Sequence, residues 1–153
     1  MKEKNYPLVD FFSVNNAREK LTSICQIVQH HFLKKKRLLI AAPNEEAAQY
    51  LNGLLWKYPE ESFVPHIWTE SPTEECVAIT CSQDNVNRAS ILLHLGPSVH
   101  VKWGLFQQIY ELFDQTDQEK QKASEARKAY YIEVGCQVNF KQSDFFSTRF
   151  YEA

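Results

Sequence analysis

Short apolar runs alternate along this chain with segments whose apolar residues recur at helical spacing. Tyr6–Phe12 is an apolar stretch with Pro7 near its start and predicts a first strand. Asn16 then stands where a helix N-cap belongs, and Glu19 three residues on makes a pair resembling a capping box. Leu21, Ile24, Cys25, Val28 and Phe32 follow at helical spacing, a stripe that must be buried. Lys34, Lys35, Lys36 and Arg37 close this helix, where positive charge suits its negative dipole end. Leu38–Ala42 is a continuous apolar run, as in a strand covered on both faces. Pro43 and Asn44 mark a turn, and Glu45 and Glu46 open a second helix. Ala47, Ala48, Leu51, Leu54 and Leu55 supply its inward face, and Pro59 and Pro65 break the pattern across 58–66.

Cys76–Thr80 and Ala89–Leu95 predict two more strands, joined by a polar loop over 82–88. Trp103–Phe113 reads as a helix with Leu105, Ile109 and Leu112 on one side. A longer helix spans Gln118–Val134, and Cys136–Phe140 predicts a last short strand. Strands alternating with helices imply an α/β fold with a mostly parallel sheet. There is no internal repeat and no long linker, so the 153 residues are expected to form one domain, 1–153. The C-terminal run over 143–153 carries Phe145, Phe146, Phe150 and Tyr151, which predicts a tail that docks.

Composition narrows the function. Average glycine usage is about 7%, and this chain has four glycines, with no two closer than eight residues. A Walker A loop or a dinucleotide fingerprint cannot be written with them, and neither can the G-x-S-x-G of a nucleophile elbow. The net charge of −2 disfavours bare nucleic acid as the main partner. The N-terminus lacks an apolar signal region, and Leu38–Ala42 is far too short to span a bilayer. A cytoplasmic protein with reduced thiols, no membrane contact and no cofactor is the expectation. Cys76 and Cys81 form C-x4-C, with His66, His94 and His100 elsewhere, but the spacing matches no zinc pattern.

Few residues suggest catalysis. Asp10 with Glu45 or Glu46 would suit an α/β enzyme or small-ligand binder using the C-terminal edge of the sheet, near Pro43 and Asn44. His30 and His31 are adjacent on a helix and point about 100° apart, so they read as a solvated or snorkelling pair and not as shared ligands. Two surfaces carry more information. Trp56, Phe63 and Val64 lie around Pro59 and Pro65, where they either cap the core or form a protein-binding patch. On the Gln118–Val134 helix, Lys120, Ser124, Arg127 and Tyr131 share one face, while Ala123, Ala126, Tyr130 and Val134 share the adjoining, inward one. The first face is either a solvated stripe with pairs such as Glu119–Lys122 or a receptor for an acidic peptide.

The stretch Leu51–His66, with Leu55-Trp56, Pro59 and Ser62-Phe63-Val64-Pro65-His66, resembles the L-x-x-x-L-W, proline, S-F-V-P-H segment of the bacterial DNA polymerase III chi subunit family. Lys36–Ala42 resembles that family's second strand and 128–130 its late helix, at low identity over nearly the whole chain. The resemblance implies a single-domain, three-layer Rossmann-like sandwich without the phosphate-binding loop. It implies a non-catalytic accessory subunit of the clamp-loader complex, with two partners. A psi-like subunit would sit on Trp56, Pro59, Phe63 and Val64. The acidic C-terminal tail of single-stranded DNA-binding protein would be received around the late helix. Without gaps, the family pattern puts Phe113, Lys120, Ser124, Arg127 and Lys128 at that pocket, with Ser124 where an arginine is usual. A shift of about one helical turn restores an arginine through Arg127, with Tyr130 three residues on. The 143–153 segment extends past the family's own C-terminus.

Overall fold

The computed structural model describes residues 5–57, 64–143 and 145–146. Its strands are β1 (Leu8–Val14), β2 (Leu38–Ala41), β3 (Ile67–Trp68), β4 (Val77–Thr80), β5 (Ile91–His94), β6 (Gln108–Asp114) and β7 (Gln137–Lys141). Its α-helices are α1 (Ala17–Leu33), α2 (Glu45–Lys57) and α3 (Gln118–Val134). The seven strands form one sheet in the order β3-β4-β2-β5-β6-β1-β7, and every pairing is parallel. The chain is thus a three-layer α/β sandwich of Rossmann-like type.

The handedness of parallel crossovers explains the layers. From β1 through α1 to β2, and from β2 through α2, the chain moves toward the β3 edge. From β6 through α3 to β7 it moves the other way, so α3 must cover the opposite face. Two apolar cores result. Phe12, Val14, Leu38, Ile40, Ile79 and Leu93 pack beneath α1 and α2, while Val9, Phe11, Leu39, Leu92, Ile109 and Phe113 pack beneath α3. The crossovers after β2 and after β5 run to opposite sides of the sheet, which opens a crevice at the carboxyl ends of these parallel neighbours, where open α/β sheets hold ligands.

Local signals set most boundaries. Asn16 caps α1, its side chain accepting from the Glu19 N–H at 2.9 Å, while Glu19 accepts from the Asn15 N–H at 2.8 Å, one residue before the cap. Asn44 caps α2 in the same way through the Ala47 N–H. Beyond α1, Lys34 is the C-cap, and Arg37 turns away to pair with Glu74 at 3.1 Å.

The segment expected as a helix over Trp103–Phe113 is instead one 3-10 turn, Trp103–Leu105, followed by strand β6. β6 lies between β5 and β1 and is buried from Ile109 to Asp114. Leu105, Ile109 and Leu112 fit a helical period, but Leu105 is exposed and the other two point to opposite faces of the sheet. β1 lies two residues later than expected, and the two-residue β3 was not expected.

In the expected docking tail, Phe145 and Phe146 are described. Phe146 is buried, its ring stacked 5.7 Å from Phe12 and 4.1 Å from His30. Phe150 and Tyr151 lie outside the described residues. His31, expected as one of a solvated or snorkelling pair, is buried beside Phe146 and hydrogen-bonds Tyr110 Oη at 2.7 Å. Burial, then the charges of His30, Lys34 and Lys36, push its pKa down to about 4.

Candidate functional site

Helix α3 starts at Asp117, whose carboxylate accepts from the Lys120 N–H at 2.8 Å, and stops at Gly135, which has the left-handed φ of 104°. Its inward face is the reverse of the one expected. Ser124, Arg127 and Tyr131 are buried, whereas Ala126 and Tyr130 are exposed and Ala123 and Val134 are half-buried.

The cause lies on the strand beneath. Glu111 of β6 is fully buried, and a buried carboxylate must be compensated by donors. Arg127 Nε donates to Glu111 Oε1 at 3.0 Å, Tyr131 Oη donates to Oε2 at 2.7 Å, and His94 Nδ1 lies 2.9 Å from Oε2. The rest of the Arg127 guanidinium donates to the carbonyls of Pro97 (3.0 Å) and Leu112 (2.9 Å) and to Ser124 Oγ (3.2 Å). Ser124 Oγ also accepts from the Asp114 N–H at 2.9 Å. Burial, then the Glu111 charge, pushes the Tyr131 phenol far up, so it stays a donor. Arg127 therefore ties α3 to β6 and to the loop after β5.

Above this network is a cavity of about 260 Å³ at the carboxyl ends of β2, β5 and β6. Pro43, Leu95, Gly96 and Leu112 wall it, and Lys20, His94, Asp114, Lys120 and Arg127 bring polar groups to it. Asp114 pairs with Lys20 at 3.3 Å. Burial would raise its pKa, but hydrogen bonds from Thr116 and the Lys20 charge outweigh that and hold it below the usual range. A second hollow of about 550 Å³ between α1 and α2 shares Lys20, Pro43, Leu95 and Lys120 with the first.

The six residues expected to receive an acidic tail fall in three places. Lys120, Ser124 and Arg127 line the 260 Å³ cavity. Phe113 is buried edge-on to Phe11 and Phe140, and Lys128 Nζ sits 4.9 Å over the Phe140 ring. Tyr130 is on another flank, its hydroxyl accepting from Trp103 Nε1 at 3.2 Å. Of these residues, Ser124 and Arg127 are buried against the sheet, where they also fasten α3 to β6.

At the other surface, Trp56 is 53% exposed on the last turn of α2, its ring 4.5 Å from that of His66. His66 is held by the carbonyl of Val64 at 2.9 Å. Val64 is itself buried in the core and does not face outward, while Pro59 and Phe63 lie outside the described residues. Asp10 is not at the C-terminal edge. It lies near the start of β1, bonded to Gln108 and Asn139. Glu45 and Glu46 are exposed in the first turn of α2. Reading the sequence missed Lys20, Glu111 and Asp114, and weighed His94 only against a zinc pattern. Glu111 alone left a signal, an acid inside the apolar run Ile109–Phe113. Among the described residues, no helix is long and apolar enough to cross a membrane.

The sequence model of the family described as DNA polymerase III chi subunit, HolC, matches residues 7–139. Among curated proteins, the chain is 34% identical over 112 residues to DNA polymerase III subunit chi of Escherichia coli (strain K12), covering 71% of this chain and 76% of that protein. It is 25% identical over 89 residues to DNA polymerase III subunit chi of Pseudomonas aeruginosa, covering 57% of this chain and 63% of that protein. To the probable DNA polymerase III subunit chi of Rickettsia prowazekii it is 24% identical over 100 residues, covering 63% of this chain and 61% of that protein.

Proposed function

The chain belongs to the DNA polymerase III chi subunit family, and on that premise we propose that it is a replication adaptor without catalysis of its own. One surface engages a psi-like subunit of the clamp-loader complex, and another receives the acidic C-terminal tail of single-stranded DNA-binding protein. The observation that carries this reading is Trp56, an indole more than half exposed at the end of α2 inside the segment most like the family. Large aromatic side chains held out in water are characteristic anchors of protein interfaces. Val64 and His66 support that indole from below, so the buried valine contributes by positioning.

For the tail, support comes from Lys120 and Lys128 on the outer side of α3, with the exposed ring of Phe140 beneath Lys128. Phe113 backs that ring from the core, and Tyr130 bounds the far flank. Arg127 and Ser124 act in this site by holding the helix in place. A short acidic segment on lysines binds with modest, salt-sensitive affinity.

The test titrates a labelled tail peptide against wild type and a Lys120→Ala/Lys128→Ala variant. A drop of about tenfold, shrinking as salt rises, is expected from the loss of two rim charges. In parallel, the psi-like subunit is co-purified with wild type and Trp56→Ala. Equal peptide affinities would remove the tail site, and undiminished co-purification would remove the Trp56 interface.

A further inference from the structure

We propose that the hollow at the amino ends of β2 and β4 is a docking surface for single-stranded nucleic acid, its phosphates held by Lys35, Arg37 and Arg88 and a base laid against Phe32 and Leu33. Arg37 directly precedes β2 and Cys76 directly precedes β4, so this hollow lies at the other end of the sheet from the 260 Å³ cavity. It does not depend on the adaptor reading.

The net charge of −2 is a sum over the chain and conceals an uneven distribution. Lys34, Lys35, Lys36, Arg37 and Arg88 gather at this end, against the carboxylates of Glu74 and Glu75. Among the described residues, none of the three lysines pairs with a carboxylate. Arg37 and Arg88 share Glu74, at 3.1 and 2.8 Å. That carboxylate is 79% exposed, so both pairs lie in water, are worth little, and yield to an incoming phosphate at small cost. Arg37 also donates to the Asn87 carbonyl at 3.1 Å, which keeps its guanidinium in place once Glu74 is displaced. Burial raises the Cys76 thiol above its ordinary pKa against the pull of Arg37, so it adds no negative charge.

The backbone points independently to the same place. Lys35 and Arg88, with φ of 58° and 53°, are the two residues other than glycine with left-handed φ among the described residues. Lys35 stands just past the C-cap of α1, where glycine usually sits, and the turn closes with the Lys36 N–H on the His31 carbonyl at 2.9 Å. Arg88 closes the turn that starts at Asn85, its N–H 3.3 Å from that carbonyl. Glycine would take either conformation freely. Instead each position holds a cation, one lining the hollow and one on its Glu74 rim. Strain retained at two positions that flank one site is a mark of function.

The floor chooses among anions. Leu33 is 57% exposed and lines this hollow of about 530 Å³ with the half-buried Phe32 and Cys76. An apolar floor offers nothing to the carboxylates of an acidic peptide. The flat face of a base covers it while the flanking phosphates reach the cationic rim. A duplex keeps its bases inside, so the strand is single. The cations outnumber what one phosphate can engage, which favours a strand over a free nucleotide.

The test uses the full chain and a fluorescent thymidine strand of about twelve nucleotides, titrated by anisotropy at about 50 mM salt. Wild type is expected to bind this strand, and to bind an abasic strand of equal length about fivefold more weakly, the loss of a stacked base. Thymidine monophosphate, the duplex and a glutamate peptide of equal charge should bind more weakly still. Lys35→Gly/Arg88→Gly removes two cations and relieves both backbones. It should melt no lower than wild type, yet bind about tenfold more weakly with a log–log salt slope smaller by about 1.4. Glu74→Gln removes the competing carboxylate and should tighten binding about threefold, a gain that no folding defect imitates. Wild-type affinity in the double glycine variant, no gain in Glu74→Gln, or equal binding of the abasic strand, the monophosphate, the duplex or the peptide would each overturn the proposal.

Discussion

Replacing Arg127 by alanine separates a fastening from a gripping residue. The guanidinium is 8% exposed and its partner Glu111 fully buried, so the pair lies where water cannot take over. In Arg127→Ala the carboxylate keeps Tyr131 and His94 but loses its permanent counter-charge. The carbonyls of Pro97 and Leu112 and the Ser124 hydroxyl lose a donor in the same step. Breaking a buried ion pair from one side costs about 3–5 kcal/mol, because an uncompensated charge remains. In a chain of this length that is roughly a 10 °C fall in melting temperature. Urea unfolding should show a lower midpoint at constant slope, the signature of lost stability without a change in compactness. In a cycle with Glu111→Gln, the double variant should recover at least about 1 kcal/mol relative to the sum of the singles. If Arg127→Ala stays within about 0.5 kcal/mol of wild type, the range of an ordinary surface change, and loses tail affinity, the arginine grips a partner and the fastening argument fails.

Two further outcomes follow from the same geometry. His31 has a folded pKa near 4 against an ordinary 6.5, so below 6.5 the unfolded chain binds a proton that the folded chain refuses. Stability should therefore fall as pH drops through that window, by up to about 3 kcal/mol. Urea midpoints in His31→Gln should show a flatter profile, and an identical slope would exclude His31 as the source. Phe146→Ala removes a buried ring stacked on Phe12 and His30, and should cost about 3 kcal/mol. A calorimetric midpoint equal to that of wild type would show that the tail merely rests on the surface.

Much of the architecture can be read from local pattern, and the parts that cannot share one cause. The bounds of α3, the turn at Pro43 and Asn44 and the buried strand β2 follow from caps, turn residues and apolar runs, which act over a few residues and are written where they operate. The family likeness likewise rests on one contiguous block, Leu51–His66. β6 misled because Leu105, Ile109 and Leu112 keep a helical period, while the alternation that marks a strand is interrupted by the acid Glu111. The orientation of α3 failed for the same acid. Its apolar residues suggested an alanine face toward the sheet, but Ser124, Arg127 and Tyr131 turn inward because Glu111 needs donors. His94, distant in sequence, reaches the cavity only because β5 and β6 are paired. Helices, turns and apolar strands were thus settled by neighbours along the chain. Which polar groups are buried together was settled across strands, where a carboxylate taken out of water chooses its partners by proximity in space and by charge.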